Sequence, residues 1–265
     1  MAAQNEVPGF LPSRNGWPFA NDLQGNFPVV TLPVIGTVAS GSAGNGVCGG
    51  FVFTVLDLFE HQPRLAPDPG AAAPAPGAAT FQFLTTRFVD SLGQANYANA
   101  AKVITWTQTP DHDVLFVWGL GHHMTATEWP AVKSTIDSGH LCPLFVVRGP
   151  QAGPLDVPAI VDVIGHCHQV LAYRYEIDDA ANVTIGIYDP NDPGDDTSVL
   201  TFNASDQGHV GLAAPGLIAH ISEPQFPVRG FFAAQYAYKD PSGVGADVVT
   251  VNNAQQAAPV TNEPA

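Results

Sequence analysis

The hydrophobic period of this chain changes near Gly139. Before it, apolar residues recur at three- and four-residue spacing; after it, they come in short runs of strand character separated by turns. Helices first and strands second predict an α+β domain. Helix is expected over about Cys48 to Glu60, where Phe51, Val52, Val55, Leu56 and Phe59 form an apolar stripe. A second helical stretch runs from Thr80 to about Trp106, carrying Phe81, Leu84, Phe88 and Leu92 on one face and a break at Gly93. Thr125-Ala126-Thr127-Glu128 reads as a capping box opening a third helix that ends at Gly139. Strands are expected at Leu144 to Arg148, Gln169 to Glu176, Val183 to Tyr188, Ser198 to Phe202, Leu217 to Ile221 and Phe231 to Tyr238. The turns at Ile177 to Ala180 and Asp189 to Asp196 make the sheet mostly antiparallel.

One domain over residues 1–241 accommodates these elements. Residues 1–47, rich in Gly, Pro, Asn and Ser, cannot form a long helix; they are expected to wrap the surface, anchored by Phe10, Trp17 and Phe19, with an extended piece at Val29 to Val38. Residues 63–79 hold Ala-Pro-Gly repeats and read as a surface loop, and residues 242–265 as a disordered tail.

Charge narrows the partners. Nine Lys+Arg against 24 Asp+Glu give a formal charge of −15. Nucleic acid needs cationic side chains in numbers, and an anionic membrane would repel this surface. No apolar run reaches the roughly 20 residues of a membrane span, so no membrane insertion is expected. Met1 to Phe10 lacks the cationic and apolar regions of a Sec-type signal, which predicts a cytoplasmic protein or one exported without such a signal. Three cysteines, Cys48, Cys142 and Cys167, are too few and too scattered for a disulfide framework or a CxxC zinc site.

The chemistry gathers on three segments. In Asn45-Gly46-Val47-Cys48-Gly49-Gly50 a glycine-rich turn runs into a helix, placing the Cys48 thiol where unpaired N–H groups and the helix dipole favour thiolate. Strand Gly165-His166-Cys167-His168-Gln169-Val170-Leu171 and the strand ending in Tyr188-Asp189-Pro190-Asn191 set His168 beside Asp189 if they pair through the turn at Ile177 to Asn182. Cysteine, histidine and aspartate in these positions form a nucleophile, a base and the group that orients the base. His166 would share a strand face with His168 and is the alternate base. The pair with Asp189 could instead make a facial metal site, but nothing fixes a further ligand; no metal or cofactor is expected. Asp189 to Asp196 resembles a calcium loop in part, yet Leu200 stands where a bidentate Glu is required.

These segments, with Ile136-Asp137-Ser138-Gly139-His140-Leu141-Cys142-Pro143 leading into a strand and His168-Gln169-Val170-Leu171-Ala172-Tyr173, resemble the papain-like cysteine peptidase superfamily, closest in pattern to bacterial double-glycine leader peptidases, over roughly residues 45–202. The resemblance implies a helical half carrying the nucleophile packed on an antiparallel sheet carrying the base. It implies Cys48 as nucleophile, His168 as base and Asp189 as its orienter, acting on a peptide or protein substrate. The superfamily often places a Gln shortly before the cysteine as oxyanion donor; here Asn45 is the candidate. The alternative expectation is a papain-like binding module without catalysis, which the missing Gln favours.

Overall fold

A computed structural model describes residues 2–26, 31–32, 36–37, 46–93, 97–154, 156–205, 227–246 and 248–251. In chain order its elements are β1 (Ala3–Glu6), α1 (Pro12–Asn15), β2 (Thr31–Leu32), β3 (Gly36–Thr37), α2 (Cys48–Glu60), β4 (Leu65–Pro67), α3 (Ala79–Ser91) and α4 (Ala98–Gln108). There follow α5 (Leu120–His123), a π-helical segment Met124–Glu128, α6 (Trp129–Asp137), β5 (Cys142–Arg148), α7 (Val157–His166), β6 (His168–Ile177), β7 (Asn182–Tyr188), β8 (Val199–Asn203), β9 (Val228–Ala233), a 3₁₀ turn Pro241–Gly243 and β10 (Val249–Val251).

The main sheet is antiparallel in the order β8-β7-β6-β5-β9. β6 is its spine: its first half pairs with β5, Val146 opposite His168, and its second half with β1, Glu6 opposite Arg174. The turn from β6 to β7 is closed by Asp178, whose Oδ1 accepts from the N–H groups of Ala180 and Asn182, while Ala181 takes a positive φ of 62°. This turn fixes the register that carries the end of β7 back toward the start of β6.

α2 departs from the expected amphipathic stripe. Every residue from Gly49 to Phe59 is buried, so the helix is central, with β6 on one side and α3 on another. Close approach explains the paired glycines. A Cβ on Gly50 would lie 2.1 Å from the Leu84 carbonyl oxygen, and one on Gly49 would lie 2.0 Å from Ser91 Oγ and 2.3 Å from Gln169 Nε2. Between α2 and α3 lies a buried ion pair, Arg87 Nε to Asp57 Oδ2 at 2.7 Å.

Other expectations need correction. Thr125 starts no helix: its hydroxyl bonds back to the Gly121 carbonyl, and Glu128 is committed to Lys102 and to the N–H of Ala233, so the helical path runs on from α5 to α6. The fold contains a helix unforeseen in the sequence, α7, capped by Asp156 accepting from Ala159 N–H. The 63–79 loop and the expected tail are partly ordered on each other, since β10 pairs with β4. The strand expected at Leu217 to Ile221, and the tail from residue 252, lie outside the described residues, as does most of the extended piece expected at Val29 to Val38, of which only β2 and β3 are described. No helix among the described residues is long and apolar enough to cross a membrane.

Candidate active site

Cys48 is the first residue of α2, half-buried, with a free thiol, at a helix start that no side chain caps. Gly50 N–H closes the first turn on the Val47 carbonyl at 2.7 Å. The bare N-terminus leaves unpaired backbone N–H groups in the first turn, at the end of the helix that carries the sulfur.

His168 opens β6 and Asp189 follows the last residue of β7, and the antiparallel pairing of the two strands brings them together. The His168 Nε2–H donates to Asp189 Oδ1 at 2.8 Å. Both are buried, Asp189 at 1% and His168 at 5% exposure. Asp189 Oδ1 also accepts from the N–H of Asn191 at 2.9 Å, so the carboxylate is fixed by its own loop. Asn191 Nδ2 lies 3.4 Å from the same Nε2, and the Cys48 sulfur interacts with the imidazole both as hydrogen-bond partner and as charge.

Burial, the largest influence on this ring, disfavours the imidazolium. The charge and hydrogen bond of Asp189, together with the interactions from Cys48, overcome it and push His168 up to about 10. The imidazole therefore keeps its proton between the Asp189 carboxylate and the Cys48 sulfur.

The remaining candidates fall elsewhere. His166 is not on a strand face with His168: it ends α7, with Nε2 4.0 Å from Asp162 Oδ1 on the same helix. This removes the geometry of both the alternate base and the facial metal site, and no group of three or more metal-ligating side chains occurs among the described residues. Asn45 lies outside the described residues. His122 and His123 belong to α5; His122 stacks on Trp118 with centroids 4.4 Å apart and meets Asp113 at 3.2 Å. The acids after Asp189 are turn fasteners: Asp195 accepts from Thr197 and Ser198, Asp196 from Ser13. Burial pushes the Cys142 thiol up to about 12 and the Cys167 thiol up to about 11, which disfavours thiolate at both.

No family model, curated protein or solved structure matches this chain. The function therefore rests on the geometry.

Two features escaped the sequence. Asn21, in the N-terminal segment, accepts from Val47 N–H at 2.6 Å and donates to Asn191 Oδ1 at 3.2 Å. Its partners lie 26 and 170 positions away, and a single Asn among turn residues carries no local signal. Val114 to Trp118 form an exposed apolar hairpin tip, with Phe116 fully exposed; its base is held by Arg229, which bonds Asp111 and the carbonyls of Thr107 and Thr109. The apolar run itself was the available signal for this hairpin. A shallow depression lined by Ala2, Gln4, Glu176 and Thr184 sits at the far end of β6 from His168 and shares no residue with the site.

Proposed function

We propose that this chain is a papain-like thiol hydrolase or acyl transferase that cleaves a peptide or amide bond through a cysteine acyl-enzyme. One observation carries the reading: a buried imidazole joined to Asp189 through Nε2 and facing the Cys48 sulfur at an uncapped helix N-terminus. In this reading the sulfur attacks the carbonyl carbon, and the oxygen gathers charge near the Cys48 N–H. His168 then gives its proton to the departing amine, leaving a thioester on Cys48. Water, or a second amine, attacks the thioester while His168 takes back a proton, and the thiolate leaves. Asp189 keeps the ring oriented and its charge favourable throughout.

Cys48→Ala is the test. Fluorogenic peptide libraries should be turned over by the native protein, with an acyl adduct on Cys48 visible by intact mass, and neither should survive in the variant at an unchanged melting temperature. Equal turnover in Cys48→Ala contradicts the assignment. A native protein that binds peptides but never acylates supports a binding module instead.

A further inference from the structure

We infer that Asn21 is a positioning residue that sets the Cys48–His168 pair from the N-terminal segment. The inference rests on the thiol reading above. Val47 precedes the nucleophile, and its N–H is donated to Asn21 Oδ1 at 2.6 Å. That bond fixes which way the Asn21 amide faces, so Nδ2 is turned to Asn191 Oδ1 at 3.2 Å. Asn191 in turn donates its own N–H to Asp189 Oδ1, which accepts from His168 Nε2. The chain of contacts closes into a ring: Val47 with Cys48, Asn21, Asn191, Asp189, His168 and back to Cys48.

Asn21 is the member of this ring that comes from the N-terminal segment; the others lie on α2 and β6 or in the residues directly flanking α2 and β7. Its backbone is also tied to the site, since Asn21 N–H donates to the Pro190 carbonyl at 3.0 Å. The segment around it is held independently by Trp17, fully buried, and by Phe19, whose ring meets Phe51 of α2 edge-on at 5.6 Å. Gly46 completes the fit: at φ 90° it lets the loop before Cys48 close on Asn21, and a Cβ there would lie 2.9 Å from Asn21 Nδ2. A substitution that removes both side-chain bonds leaves the anchors in place but lets the two halves of the site settle independently, and small misplacement of reacting groups has a large effect on rate.

The experiment is iodoacetamide alkylation of Cys48 across pH 5 to 9, located by peptide mass spectrometry, in native protein, Asn21→Ala, Asn191→Ala and the double variant. Asn21→Ala is expected to slow Cys48 alkylation at pH 6 by about tenfold and to shift the profile toward higher pH. Asn191→Ala, which also removes the Nδ2 lying 3.4 Å from His168 Nε2, should shift the profile at least as far, and the double variant should add little to Asn191→Ala because both open the same ring. Cys142, buried, reports folding within the same samples: it stays unlabelled when the variant is intact. If Asn21→Ala labels Cys142 and is therefore unfolded, Asn21→Ser, a smaller change at the same position, decides the matter, because Asn191 Nδ2 lies 3.4 Å from His168 Nε2 and its removal also touches the base directly. Profiles that superimpose on the native one in folded variants overturn the role of Asn21. A native Cys48 no more reactive below pH 7 than a model thiol overturns the thiol reading itself, and the role of Asn21 with it.

Discussion

His168 is buried, yet it sits among groups that favour its proton, and that has a consequence for stability. Its folded value of about 10 exceeds the 6.5 of a free imidazole, so the native state binds the proton more tightly than the unfolded chain. The stabilisation is fully present below pH 6.5 and is lost as pH rises through 10. Urea unfolding at pH 6, 8 and 10 should show this decline in the native protein. Asp189→Asn, which removes the carboxylate charge, should flatten it; an unchanged slope in the variant would show that the coupling is not to Asp189. Cys48, His168 and Asp189 were legible in the sequence because each stands at an element boundary that local signals mark: a glycine-rich helix start, a strand entry and a strand exit. Asn21 was not, because its meaning comes only from partners that the fold delivers.

At the scale of elements, close packing of α2 explains what the Gly-Gly pair after Cys48 is for. Gln169, next to the proposed base, donates to Ser91 Oγ of α3 and fills the space over Gly49. Gly49→Ala should lower the melting temperature and displace Gln169, with a loss of roughly 1–3 kcal/mol from overpacking; a neutral effect on a urea titration would contradict the packing described. Helices and strands with a clear period were readable, whereas α7 and the α5-to-α6 path were not. Asp156 caps α7 in the expected manner, but the helix follows a glycine- and proline-rich stretch that hides its start. The Thr125-Glu128 spacing imitates a cap because Glu128 is held there by Lys102 and Ala233, partners no local pattern reveals.

For the whole molecule, the buried ion pair between α2 and α3 joins distant parts of the chain. Arg87 Nη2 also donates to the Ala237 carbonyl, while Asp57 Oδ1 accepts from the Tyr236 hydroxyl and the Lys239 N–H, so residues after β9 are held over the helices. Arg87→Met leaves Asp57 buried without its counter-charge and should destabilise the protein by about 3–5 kcal/mol in urea unfolding; a change below about 1 kcal/mol would contradict this account. The α+β arrangement followed from the order of periods along the chain, but the docking of residues 236–239 and the pairing of β10 with β4 depend on contacts across most of its length. The central claim concerns the site at the start of β6. Its most direct test compares iodoacetamide labelling of Cys48 against pH in the native protein and in His168→Ala. Selective labelling below about pH 7 that disappears in the variant is the predicted result. A Cys48 that reacts no faster than a model thiol of pKa ~8.5, or equally in both proteins, would contradict it.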